Sequence, residues 1–142
     1  MQYAYPCSII PDEDGWMLAV FPDVPEAGTS GRDLEETRAL ARDALAAALA
    51  GYVLARRDIP PPGSMARGQY LIALPAVVAG KLALYTAMRE TGTSNVALAA
   101  RLGVSEAAVR RLVNPDHRSH IGSVSKALEA LGRTIILQDR VA

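Results

Sequence analysis

The chain has 142 residues, half of them hydrophobic, with one cysteine and no net charge at neutral pH; that is room for one ordinary domain or for two very small ones that share apolar surface by oligomerising. Its longest apolar stretch, Leu71 to Leu84, is broken by Pro75, Gly80 and Lys81 and falls short of the roughly 20 residues of a bilayer span, the N-terminus has no export pattern, and a single cysteine closes no internal disulfide, so a cytoplasmic chain is expected. The neutral total hides a division, because residues 1–64 carry five Arg against ten acids, net −5, and residues 65–142 carry ten Lys or Arg against five acids, net +5.

From Gln2 to Ile10 the residues alternate, with Tyr3, Tyr5, Cys7 and Ile9 on one side, which is strand periodicity. Pro6 lacks a ladder donor, so this strand is expected at an edge or with the proline nitrogen turned outward. Asp12-Glu13-Asp14-Gly15 supplies turn chemistry, and Trp16 to Phe21 is a second short run, giving a β-hairpin. The proline- and glycine-rich stretch from Pro22 to Gly31 reads as a loop. Asp33 then caps a helix, and Glu36 stands where a carboxylate reaches back to the cap amide. Leu34, Ala41, Leu45, Ala48, Leu49 and Tyr52 recur at helical spacing to about Arg57, and Pro60-Pro61-Pro62 stops the helix. Tyr70 to Leu74 reads as a third strand, and Pro75 fits the first turn of a helix reaching about Thr91. Beyond Gly92 only short helical segments follow, so the boundary between an α+β first half, 1–74, and an all-α second half, 75–142, is placed at Pro75.

Residues 95–114, NVALAARLGVSEAAVRRLVN, have the spacing of a helix-turn-helix. Such a motif needs a small residue where the helices cross, a residue tolerant of positive φ in the turn, and apolar positions facing a third helix. Ala99, Gly103 and the set Leu98, Leu102, Val109 and Leu112 fill these roles, and Ser105 can cap the second helix. Glu106, Ala107, Arg110 and Arg111 then fall on or near its outward face, where an arginine can bind guanine O6 and N7 bidentately. Arg101, Arg118, Lys126 and Arg133 are candidates for phosphate contacts that position without reading sequence. The plain alternative is a pair of packed helices in an all-α subdomain.

The segment from Tyr85 to Leu137, with its turn Leu102-Gly103-Val104-Ser105, the pair Asn114-Pro115 and the ending Ala130-Leu131-Gly132, resembles the helix-turn-helix of HicB-type antitoxins. The first half agrees with that resemblance in its hairpin, the FPDVPEAGTSG loop from Phe21 to Gly31, the acid-rich helix start and the IPPPGS tail. It departs at Thr37, where the family usually has alanine, and at Arg32-Asp33. The resemblance implies a type II toxin–antitoxin partner whose N-terminal domain is similar to a ribonuclease H fold without its catalytic set. That domain would bind a small basic mRNA-cleaving toxin of the HicA type, and the C-terminal domain would bind operator DNA as a homodimer or dimer of dimers, repressing its own operon. The toxin-facing surface is placed at the acidic turn, Asp12, Glu13 and Asp14, and at Asp23 and Glu26 of the following loop. The acidic and basic halves suit these two partners independently.

Other constellations are weaker. Asp12, Glu13 and Asp14 are consecutive in a turn and do not converge as magnesium ligands from separate strands would. His117 and His120 are two ligands with no cysteine near in sequence, short of a zinc site. Cys7 has no neighbouring base and reads as a buried structural thiol, and Trp16 and Tyr52 read as core. No catalytic residue, metal or cofactor is assigned, so the chain is expected to bind rather than catalyse. The alternative function is a free-standing helix-turn-helix regulator whose N-terminal domain senses a ligand or only oligomerises; a nuclease using the N-terminal acids is a third.

Overall fold

In a computed structural model that describes residues 1–141, the chain is α+β, with a four-stranded antiparallel sheet and five α-helices. It divides into two compact units, the first running from Met1 to Pro75 and the second beginning at Ala76.

The first unit contains β1 (Ala4–Pro11), β2 (Met17–Val20), β3 (Thr29–Gly31), α1 (Leu34–Leu54) and β4 (Tyr70–Ala73), with strand order β3-β2-β1-β4. Pairing Tyr5 with Ile72 and Ile9 with Ala19 sends Tyr5, Cys7, Ala19 and Ile72 to one face. Against that face α1 buries Thr37, Ala41, Leu45, Leu49 and Tyr52, a stripe at the period of 3.6 residues that amphipathic helices require. The other face keeps the paired Ile10 and Leu18 exposed, with Val20 beside them.

Three expectations need correction here and a fourth, on Pro6, is narrowed. The hairpin is not the whole of the first sheet half, because the Pro22–Gly31 stretch contains a 3-10 turn, Pro25–Ala27, and the short strand β3 paired to Met17–Ala19. Three residues of Thr, Ser and Gly are too few to show alternation, and only the β2 edge makes them a strand. Of the two arrangements expected for Pro6 the second holds, because its strand is interior and not an edge. β2 pairs with Ser8–Pro11 and β4 with Ala4–Cys7, and the Leu74 amide donates to the Tyr3 carbonyl. By antiparallel alternation the Pro6 nitrogen therefore points away from β4, into the stretch that β2 leaves unpaired. Trp16 is 45% exposed at the hairpin turn, and of the two aromatics read as core only Tyr52 is buried. Finally, α1 ends at Leu54, not Arg57. The Arg57 amide donates to the Tyr52 carbonyl and the Arg56 amide to the Val53 carbonyl, with Arg56 at φ 56°, a Schellman ending in which arginine holds the left-handed position that glycine usually fills.

The Asp33 cap forms, its carboxylate accepting from the Glu36 amide at 2.8 Å. Glu36 reaches back one residue further than the capping-box pattern, accepting from the Arg32 amide at 2.6 Å while its other oxygen meets the Arg32 guanidinium. A proline-rich return, residues 59–63, is tied down by polar bonds: the Tyr5 hydroxyl donates to the Pro60 carbonyl at 2.8 Å and the Gly63 amide to Asp23 at 2.8 Å.

Cys7 and Tyr5 have no exposed surface, and burial pushes the Cys7 thiol from 9.0 up to about 11 and the Tyr5 hydroxyl well above its ordinary 10.0. An acid whose pKa is raised by folding keeps its proton in the native state after the unfolded chain has released it. The stability of this unit is therefore expected to be level below pH 9 and to fall between pH 9 and 11, by about 1.4 kcal/mol per pH unit from Cys7 with Tyr5 adding above 10. Urea unfolding followed by Trp16, the single tryptophan, measures this; a midpoint that does not move across that interval contradicts it.

The second unit packs α2 (Ala76–Thr91), α3 (Asn95–Leu102), α4 (Glu106–Val113) and α5 (Ile121–Glu129) around Leu84, Ala87, Met88, Leu98, Ala99, Val109, Val124, Ala127 and Leu128. Leu102 and Leu112 are half-buried against this core. Gly80 allows α2 and α5 to approach, since a Cβ there would stand 3.2 Å from Val124 and 3.3 Å from Ile121. An ion pair between Arg133 and Glu90 joins the segment after α5 to the end of α2. No helix among the described residues is long and apolar enough to cross a membrane.

Candidate nucleic-acid and protein-binding surfaces

The pair α3–α4 is built from local rules. The Ser94 hydroxyl accepts from the Ala97 amide and the Ser105 hydroxyl from the Ala108 amide, both at 3.1 Å, so each eight-residue helix has its first turn satisfied by a side chain. Between them Gly103 takes the left-handed conformation, φ 68° and ψ 33°, and the Val104 amide closes the turn on the Ala99 carbonyl at 3.1 Å. Ala99 and Val109 are both buried, which makes close approach of the two helices possible. Asn95 Nδ2 also donates to Glu106 Oε1 across the pair, at 3.4 Å.

On α4 itself, Ser105, Arg110 and Arg111 are exposed and Glu106 and Ala107 half-buried. Arg110 is held by Glu106 one turn earlier, at 2.7 Å. A pair this exposed contributes little stability, and its consequence is to fix the direction in which one guanidinium leaves the helix. Arg111 makes no ion pair among the described residues. Arg101 is exposed on α3, and Arg118 is exposed in the segment between α4 and α5 together with His117 and His120. Lys126 and Arg133 are exposed on α5 and just beyond it.

In the sequence Lys81 stands only as an interruption in an apolar run. In the structure it has no exposed surface, and its Nζ donates to the Arg111 carbonyl at 2.8 Å, the Asn114 carbonyl at 2.9 Å and the Ser119 hydroxyl at 2.8 Å. The helical pattern of residues 76–91, extended through position 81, puts it on the inward side between Gly80 and Leu82. That signal marks a buried cation without naming its partners, which lie 30 to 38 residues away.

In the first unit the acidic candidates differ in what they are free to do. Asp12 Oδ1 accepts from the Asp14 and Trp16 amides at 2.8 and 2.9 Å, so this carboxylate organises the hairpin turn, while Glu13 and Asp14 are exposed. Asp23 holds the Gly63 amide. Glu26 accepts from the Tyr52 hydroxyl at 2.7 Å and pairs with Arg57 at 3.3 Å, and the Tyr52 bond first, then its own backbone amide and more weakly Arg57, hold its carboxyl below the usual range. Asp23 and Glu26 thus fasten the loop after β2 to the proline-rich return and to the end of α1. Glu35 and Asp43 are further exposed acids, on α1. Among the described residues no three His, Cys, Asp or Glu side chains stand close enough to hold a metal ion.

Residues 4–83 match a family model described as the HicB_like antitoxin of bacterial toxin-antitoxin systems. Across most of its length the chain is also similar to curated proteins. It is 40% identical over 133 residues to Antitoxin HicB 2 of Photorhabdus laumondii, spanning 94% of each protein. It is 38% identical over 132 residues to Antitoxin HicB of Pseudomonas fluorescens, spanning 92% of this chain and 90% of that one. With Antitoxin HicB of Escherichia coli it shares 32% over 133 residues, 94% and 96% of the two chains.

Proposed function

The chain belongs to the HicB-like antitoxin family, and on that premise we propose that it neutralises a small basic mRNA-cleaving toxin of the HicA type through residues 1–74 and represses its own operon through a helix-turn-helix in residues 75–142. The observation that carries this reading is the likeness to antitoxins over both units at once, 94% of the chain. Charge supports it from another direction, because an acidic first half suits a basic protein and a basic second half suits a polyanion. The first unit would be a ribonuclease H-like domain used for binding, and a homodimer or dimer of dimers would match the two-fold symmetry of operator half-sites.

Within the second unit, α3, the Gly103 turn and α4 would form the DNA-reading pair. Ser105, Glu106, Ala107, Arg110 and Arg111 would lie in or at the major groove, and Arg101 and Arg118 would lie on the phosphates. Within the first, Glu13 and Asp14 are free to meet a basic toxin, whereas Asp12, Asp23 and Glu26 act by shaping the turn and loop that present them. Co-expression of the full chain with a small basic protein encoded beside it is expected to yield a complex that survives affinity purification. Its yield should fall as ionic strength rises, as charge-led association does. A basic protein that purifies alone at low salt contradicts the toxin-binding half of the proposal.

A further inference from the structure

We infer that Lys81 is the positioning residue of the DNA-reading surface, holding the end of α4 and the segment carrying Arg118 in one fixed relation to α2. This deepens the proposed function and rests on its reading of α4.

The C-terminal end of an α-helix leaves its last four carbonyls without helical donors, and the macrodipole puts partial negative charge there. In α4 the Arg110 carbonyl is taken by the Asn114 amide at 3.1 Å, and the Arg111 carbonyl is taken by Lys81. The same ammonium reaches past the helix to the Asn114 carbonyl, which also accepts from the His117 amide, and to the Ser119 hydroxyl. Three acceptors use all three N–H bonds of an ammonium, leaving no donor idle. The cation therefore replaces its lost hydration with a complete set of protein partners, which is the condition for burying a charge.

Arg110 and Arg111 are on the last turn of α4, and Arg118 precedes Ser119 directly. One side chain from α2 thus fastens both of the arms that the proposal lays on DNA. Contacts to base edges need hydrogen-bond geometry good to a fraction of an ångström, and a supporting group that locks the reading residues sets that geometry without touching the ligand. Core packing alone does not supply it: on α4 only Val109 is fully buried, and Leu112 and Val113 are half-buried.

The test uses the full-length chain and duplex DNA from its own promoter, titrated by fluorescence anisotropy, with hydrogen exchange and toxin binding measured on the same preparations. Lys81→Met keeps the unbranched stem and removes the ammonium with all three donors. It is expected to remain folded, to bind the toxin as the wild type does, and to lose operator affinity by about tenfold or more. Protection is expected to fall selectively at the Asn114 and His117 amides, with the Leu98 amide of α3 holding its own. If Lys81→Met does not fold, Ser119→Ala removes one acceptor and leaves both carbonyl bonds; it is expected to weaken operator binding about threefold with full helix content. Folded variants with wild-type operator affinity overturn the inference, as does an affinity loss no larger than the loss of folded protein. A wild-type chain that binds no part of its promoter overturns the DNA reading itself, an outcome distinct from wild-type binding that the two variants leave untouched.

Discussion

Replacing Arg110 and Arg111 together by alanine is expected to weaken operator binding by about two orders of magnitude or more while leaving toxin neutralisation near normal. Both side chains are exposed on α4, next to but not part of what that helix gives the core, which is Val109 with Leu112 and Val113 at its margin. The double substitution loses the Arg110–Glu106 ion pair, worth well under about 1 kcal/mol at such exposure, so the fold should persist. A lost bidentate contact to a base costs about 1–3 kcal/mol, and a dimer loses it twice. If the contacts are to phosphate instead, affinity falls on all sequences and its dependence on salt becomes flatter. A gel-shift titration at two salt concentrations separates these cases. Unchanged operator affinity in a folded double mutant would show that α4 is not the reading helix.

Gly31→Ala is expected to be the most damaging single-methyl addition in the first unit. A Cβ on Gly31 would lie 2.5 Å from Thr37 Oγ1, 2.9 Å from the Thr37 backbone nitrogen and 3.1 Å from its Cα. Two of those three atoms are backbone in the first turn of α1, where the Asp33 cap and the Thr37 hydroxyl bond to the Asp33 carbonyl fix the chain. The turn cannot move without breaking its own hydrogen bonds, so relief must come from separating β3 and α1. The expected cost is about 3 kcal/mol, a fall in thermal midpoint on the order of 10–20 °C for a unit of this size. Adding Thr37→Ala removes the nearest clash and leaves the two backbone ones, so only part of the loss should return. A Gly31→Ala midpoint within a few degrees of wild type would mean that β3 and α1 yield more easily than their bonds indicate.

What the sequence discloses and what it withholds follow from how local each feature is. The α1 stripe from Ala41 to Tyr52, the Asp33 and Ser105 caps and the left-handed Gly103 are all set within a turn or two of chain, and all can be read from residue type and spacing. β3 is withheld because Thr29–Gly31 has no pattern of its own and is a strand only beside Met17–Ala19. Pro6 leaves two placements open for a related reason: one residue forbids a ladder bond on one side only, and which side is open depends on where β2 stops. Arg56 in the left-handed position defeats a search for glycine at the helix end. The acids of the first half show the same limit, since −5 is visible as a sum while the engagement of Asp12, Asp23 and Glu26 in turn and loop bonds is not. Lys81 is the largest omission, and its three acceptors are reached only after α4 and the segment behind it have folded onto α2.

Whether this chain silences a toxin by binding it is reported most directly by growth. Cells carrying the neighbouring small basic protein under one inducer and this full-length chain under another are grown with each and with both. Arrest is expected with the first alone and restored growth with both, including when the chain carries the Arg110 and Arg111 substitutions. Arrest that persists despite full-length, soluble chain would contradict it.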